Sequence, residues 1–285
     1  MRWPVLLTVL LGLLASSPTA RVDPVLGDLN GDSWPDLLWQ RDDGLLFAWL
    51  MTGATRTGGG FLTPGSVDPA WRAVGLADFD GNGSSDVLFR HTPSGSMFVW
   101  WMDHLVEADG AFLTPSVVLG NWEVVATEDF NGDNKSDIVW QEPSTGAIYI
   151  WYMNGATRTT ATFATPAQVP AGWRIVGADD LNNDGHPDLV FRHTAGWVYV
   201  WFMNGATQIG GAYITDDPAA PAPLNPEWQI VAIADFDHDD NPDLIFQNVS
   251  TLTLSIVYLD GVLVRDAAIL QNTLPLGNWR LVGGR

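Results

Sequence analysis

The sequence predicts an all-β fold, and three observations carry that expectation. A segment of about 50 residues recurs along the chain, the runs between turns are short and rich in β-branched and aromatic residues, and no stretch longer than a turn has helical periodicity. With 29 glycines and 18 prolines in 285 residues, many short strands joined by turns are favoured over long helices. The length suffices for a sizeable core, to which 15 tryptophans contribute.

The repeat is anchored by an acidic loop at residues 28–36, 78–86, 129–137, 180–188 and 235–243, whose first aspartates are spaced by 50, 51, 51 and 55 residues. An aromatic follows three residues after each loop: Trp39, Phe89, Trp140, Phe191 and Phe246. A tryptophan precedes four loops by seven residues: Trp71, Trp122, Trp173 and Trp228. A glycine stands five residues before another tryptophan in the pairs Gly44 and Trp49, Gly95 and Trp100, Gly146 and Trp151, and Gly196 and Trp201.

Each repeat reads as four strands. In the fourth copy these are Trp173 to Gly177, Asp188 to Arg192, Trp197 to Met203 and a strand around Ala212 to Ile214. Asn204-Gly205 supplies a hairpin turn, echoed by Asn154-Gly155 and Asp260-Gly261. Four strands per repeat of this length is the blade of a β-propeller. Trp279 to Arg285 reads as one further first strand, whereas the first copy lacks its own and has Arg21 where the tryptophan would stand. The expected fold is therefore a propeller of five four-stranded blades over residues 21–285, closed by pairing of the C-terminal strand with the N-terminal blade, which leaves no open sheet edge.

Ahead of the repeats, Arg2 is followed by an apolar run from Val5 to Ala15 and small residues to Ala20, the pattern of a secretory signal peptide. No second apolar stretch would span a bilayer. The expected location is secreted, periplasmic or on the cell surface. The formal net charge of −20 argues against nucleic acid and anionic lipid as partners. The absence of cysteine excludes disulfides, thiol catalysis and zinc-thiolate sites.

The loops read D-x-[DN]-x-[DN]-x-x-x-D. Side-chain oxygens at positions one, three, five and nine, with the backbone carbonyl at position seven, can converge on one cation, and such hard ligands select calcium. The candidate ligands are Asp28, Asn30, Asp32, Trp34 and Asp36 in loop one, and Asp78, Asp80, Asn82, Ser84 and Asp86 in loop two. Loop three offers Asp129, Asn131, Asp133, Lys135 and Asp137, and loop four Asp180, Asn182, Asp184, His186 and Asp188. Loop five offers Asp235, Asp237, Asp239, Asn241 and Asp243. Trp34, Ser84, Lys135, His186 and Asn241 enter only through the carbonyl. Carboxylates this dense repel unless neutralised. Up to five Ca²⁺ are expected, whose ten charges would offset half of the −20. Loop two, with Gly81 and Gly83, is the most complete; loop five, with His238 and Asp240 there, and loop one, with Ser33, bind less tightly.

The segments Asp28 to Leu37 and Ala77 to Gly83 resemble FG-GAP/VCBS repeats, which form the propeller of integrin α subunits and of many secreted bacterial proteins. The resemblance covers nearly all of residues 21–285. It implies a propeller with calcium in the loop between the first two strands of each blade, all on one face. The family is best known for seven blades, so five is a departure resting on the strand count.

Eleven tryptophans at repeat positions are expected in the core: Trp39, Trp49, Trp71, Trp100, Trp122, Trp140, Trp151, Trp173, Trp201, Trp228 and Trp279. Trp34, Trp101 and Trp197 fall outside the pattern and are the surface candidates. The series Met51, Met102, Met153 and Met203 reads as core filling. A polar group follows each post-loop aromatic: Gln40, Arg90, Gln141, Arg192 and Gln247. These read as solvated strand ends, or as an array of similar sites. No nucleophile elbow, zinc helix, phosphate loop or dinucleotide fingerprint occurs in the sequence. The expected function is non-catalytic binding or adhesion to a glycan or extracellular protein. The alternatives are a polysaccharide-acting enzyme using Arg90, His91, Arg192 and His193, or a structural envelope module.

Overall fold

A computed structural model of the chain describes residues 27–270 and 278–282. The signal-peptide segment, residues 1–20, lies outside them, as do Gly283 to Arg285. The described residues are all-β, with no helix. None of their segments is a helix long and apolar enough to cross a membrane.

The strands form propeller-like antiparallel groups. The first contains β1 (Leu37–Arg41), β2 (Leu45–Thr52) and β3 (Thr55–Ser66). The second is β4 (Trp71–Ala77), β5 (Asp86–His91), β6 (Ser96–Asp103) and β7 (Val106–Val117). The third is β8 (Glu123–Glu128), β9 (Asp137–Glu142), β10 (Ala147–Asn154) and β11 (Thr157–Gln168). The fourth is β12 (Trp173–Asp179), β13 (Asp188–His193), β14 (Val198–Asn204) and β15 (Thr207–Tyr213). The fifth is β16 (Trp228–Ala234), β17 (Asp243–Asn248), β18 (Leu254–Asp260) and β19 (Leu263–Ile269). A last strand, β20 (Trp279–Leu281), pairs antiparallel with β1, placing Arg280 opposite Gln40.

The backbone hydrogen bonds do not make one closed sheet. Single parallel bridges link β3, β7, β11 and β15, while β16 to β19 form a separate four-stranded sheet. Neighbouring groups meet mainly through side chains. One cluster joins Leu38, Leu46 and Ala48 to Phe89, Trp100 and Met102; another joins Trp39, Trp49 and Leu281 to Val231, Phe236 and Ile256. The third strand of a group is buried on both faces: in β6, Met97 and Val99 enter one core cluster and the next residue, Trp100, enters another with Met102, so one face is turned to each neighbour.

The first strands carry a bulge at the same place in four groups, between Ala73 and Gly75, Val124 and Ala126, Ile175 and Gly177, and Ile230 and Ala232. A bulge adds local twist, which turns each sheet relative to the next. The first strands approach closely here: a Cβ on Gly177 would stand 2.7 Å from Cδ1 of Ile233 in the neighbouring first strand and would displace that side chain. A small central cavity is lined by residues of β4, β8, β12 and β16, among them Leu76, Ala126, Ala178 and Ile233, together with Val282.

Candidate functional site

Each acidic loop leads into the second strand of its group, and its first aspartate caps the loop's own backbone. In loop one, Asp28 Oδ1 accepts from the N–H of Gly31 at 2.7 Å and Oδ2 from that of Ser33 at 2.9 Å. Asp78 accepts likewise from Gly81 and Gly83, Asp129 from Gly132 and Asn134, and Asp235 from His238 and Asp240. Asp180 Oδ2 accepts from Gly185. The turn needs left-handed backbone at positions four and six, which Gly81 and Gly83 adopt freely but His238 (φ 60°) and Asp240 (φ 65°) adopt against their side chains.

The ninth aspartate does something its spacing did not announce. Asp36, Asp86, Asp137, Asp188 and Asp243 are buried, and both oxygens of each are used. Oδ2 accepts from the N–H at position two, as from Phe79 at 2.9 Å, and Oδ1 from the N–H of the third strand, as from Met102 at 2.9 Å. The other acceptors of this kind bind Met51, Met153, Met203 and Leu259. The methionine series is buried, and it also supplies the donors that fix the loop to the sheet. Burial pushes all five carboxyls up to about 7, against the opposing pull of the two N–H groups.

The donor set suits a hard divalent cation. Carboxylate oxygens of Asp78, Asp80 and Asp86 lie within 4.8 Å of one another in loop two, and those of Asp235, Asp237 and Asp239 do so in loop five. A cation there would favour the ionised form of carboxyls that burial now raises. In loops one, two and four an asparagine amide bridges positions three and five: Asn30 donates to Asp32, Asn82 to Asp80 and Asn182 to Asp184, at 3.0–3.2 Å. At position seven the N–H groups of Trp34, Ser84, Lys135, His186 and Asn241 donate to position five. The side chains there turn to other partners: Lys135 donates to Asn154, and Trp34 stacks on His238 at 3.6 Å.

Four of the five polar strand ends, Gln40, Arg90, Gln141 and Arg192, hold the next group. Gln40 is fully buried and grips the next group, donating to the carbonyl of Trp71 at 2.8 Å and accepting from the N–H of Ala73 at 3.1 Å. Gln141 makes the same pair of bonds to Trp173 and Ile175. Arg90 donates to the carbonyl of Trp122, and Arg192 to that of Trp228 at 2.8 Å. Arg90 and Arg192 are thus engaged as clamps between successive groups. His91 bonds Ser94, and His193 accepts from the N–H of Ala195.

The repeated tryptophans divide in two. Trp39, Trp49, Trp100, Trp140, Trp151 and Trp201 are buried as expected. Trp71, Trp173, Trp228 and Trp279, each the first residue of its strand, and Trp122, just before β8, are only half-buried. All but Trp228 belong to aromatic clusters that sequence reading missed. Phe98 packs on Phe112 with centroids 4.9 Å apart, and Trp71 lies 6.2 Å from both. Phe47 packs on Phe61 beside Trp279, Tyr149 on Phe163 beside Trp122, and Tyr199 on Tyr213 beside Trp173. The outer rings are solvent-facing: Phe61 is 53%, Phe112 55%, Phe163 51% and Tyr213 39% exposed. In the fifth group the matching pair is Ser255 and Ile269. The signal was present as an aromatic pair at fixed register in four repeats, although exposure is a tertiary property. Of the surface candidates, Trp34, Trp101 and Trp197 are half-buried, Trp197 lying against Tyr213 at 5.3 Å.

The repeats match the model of the FG-GAP-like repeat at residues 28–89, 129–191 and 180–246. No curated protein matches the chain. Among solved structures, the Tc holotoxin pore of Photorhabdus luminescens is 19% identical with a TM-score of 0.45, covering 91% of this chain, which spans 12% of that one. BBS1N in complex with ARL6DN is 13% identical with a TM-score of 0.39, covering 88% of this chain and 82% of that one. The C-terminal WD40 domain of Sif2 is 11% identical with a TM-score of 0.36, covering 86% and 75%. With the family model matching most of the chain, over the loops and the strands that follow them, the protein belongs to the FG-GAP-like repeat family.

Proposed function

We propose that the protein is an exported, calcium-stabilised propeller of five blades that binds neutral saccharide chains and catalyses no reaction on them. The closed arrangement is supported by the pairing of β20 with β1, by the central cavity lined from four first strands and Val282, and by the stacking of Trp34 on His238, which joins loop one to loop five. Calcium in the acidic loops, held by the residues at positions one, three, five and nine, is supported by the oxygen donor sets and by burial of the ninth aspartate. Export rests on the N-terminal sequence alone.

One observation carries the saccharide reading. An exposed aromatic on the outer strand, backed by a second aromatic and edged by a half-buried tryptophan, recurs at one register in four groups. A pyranose offers an apolar C–H face that stacks on such a platform, and a large apolar ring is left exposed at a cost unless something covers it. The charge of −20 disfavours anionic polysaccharides. Four near-equivalent platforms give avidity from weak single contacts.

The test is a screen of immobilised neutral and acidic glycans with and without calcium, with product analysis in parallel. Saturable binding without cleavage is expected. Phe112→Ala with Phe163→Ala should weaken binding to a multivalent glycan roughly 10-fold or more, from about 0.5–1.5 kcal/mol per platform. Ile269→Ala should leave binding unchanged. Cleavage products would favour an enzyme, and retention of full avidity in the double variant would end the platform reading.

A further inference from the structure

Loop five differs from the other four in a way that bears on its cation. Positions three and five hold one asparagine and one aspartate in loops one to four: Asn30 and Asp32, Asp80 and Asn82, Asn131 and Asp133, Asn182 and Asp184. In loop five both are acids, Asp237 and Asp239. The amide bridge that joins these positions in loops one, two and four therefore has no counterpart there. Its place is taken by an arginine from the outer strand: Arg265 Nη1 lies 2.6 Å from Asp239 Oδ2, and Arg265 Nη2 contacts Asp237 Oδ2.

Strand register shows that this arginine is special to the fifth group. Val264 stands opposite Leu259 in β19 and β18, as Arg56 stands opposite Met51, Glu107 opposite Met102, Arg158 opposite Met153 and Gln208 opposite Met203. The residues matching Arg265 are therefore Thr57, Ala108, Thr159 and Ile209, none of which carries a charge. The extra acid and the compensating base occur in the same repeat and touch each other.

We propose that Arg265 is the resident cation of loop five, so that this loop is held without calcium while loops one to four take the metal. This inference rests on the calcium reading of the other loops. A guanidinium spanning two carboxylates satisfies them through charge-assisted bonds and blocks two of the oxygens a metal would need. The remaining oxygen of Asp237, Oδ1, is buried without a hydrogen-bond partner, so removing the arginine would release a ligand set ready for an ion. The placement is consequential. Loop five touches loop one through the stacked Trp34 and His238 and through the contact of His238 Nε2 with the Ser33 carbonyl at 2.9 Å. The junction of the first and last groups is thereby tied at any calcium level.

Calcium counting by native mass spectrometry and titration calorimetry tests this. Arg265→Gln should bind one more Ca²⁺ than the wild type, and adding Asp237→Ala, which leaves no side-chain oxygen at position three, should abolish that gain. Asp237→Ala alone should leave the wild-type count unchanged. In chelator, hydrogen exchange of residues 235–243 should stay slow in the wild type while the other loops open, and become fast in Arg265→Gln. No gain in the arginine variant, a gain that survives Asp237→Ala, or a wild-type ion lost in Asp237→Ala would overturn the proposal. Absence of bound calcium in every variant would instead sink the calcium reading itself, and slow exchange of loop five could then still be scored on its own against Arg265→Gln.

Discussion

Stripping calcium from four loaded loops at pH 8 should lower the melting temperature by roughly 20–40 °C, and returning the ion should restore it. Each occupied loop contributes about 2.7 kcal/mol at a free concentration 100-fold above its dissociation constant, and about 1 kcal/mol shifts a domain of this size by 2–4 °C. The pH dependence should be opposite in the two forms. Without metal, Asp36, Asp86, Asp137, Asp188 and Asp243 are pushed up to about 7 by burial, above the ordinary value of 3.8 that the unfolded chain retains. The folded state then holds protons that the unfolded state releases. The resulting stability is full below pH 4 and is lost as pH rises through 7. The chelated protein should therefore melt higher at pH 5 than at pH 8. Calcium requires ionised ligands, so its stabilisation should grow over the same interval. Calorimetry at pH 5, 6.5 and 8, with chelator and with 10 mM calcium, reads both slopes. Parallel curves would contradict the assignment of the carboxylates of loops one to four to the metal.

Gln40→Leu should be the most damaging single polar substitution in the strands. The side chain is fully buried, and its removal leaves the Trp71 carbonyl and the Ala73 N–H without their partner. Arg280, which donates to Gln40 and to the Ala73 carbonyl, loses one of its acceptors as well. Two stranded buried groups cost about 2–5 kcal/mol, or about 5–15 °C in melting temperature. Gln229→Leu, at an exposed position of β16, is the comparison and should change stability by under about 0.5 kcal/mol. Equal effects in thermal melts would mean that the clamp between groups contributes little.

The contrast between these two glutamines shows where sequence reading stops. Strands, turns and acidic loops were legible because their signals are local: alternation, Asn-Gly pairs and fixed aspartate spacing. The pairing of the last strand with the first group was legible because one strand was missing at one end and surplus at the other. Gln40 looked like a strand end because the group it binds lies 31–33 residues away. Trp34 looked like a surface residue because its stacking partner belongs to the far end of the chain. The eleven repeated tryptophans were alike in spacing, and only packing separates the six buried ones from the five at the strand starts. Likewise, nothing local marks Arg265 as a partner of acids 26 and 28 residues before it.

Because β20 pairs with β1, the sheet of the first described repeat draws one of its strands from about 240 residues further along the chain. Until β20 is made, β1 presents a bare row of amides and carbonyls to other nascent chains. Loss of Trp279 to Leu281 would thus injure a repeat remote from it in sequence, and its signature would be association of the shortened molecules.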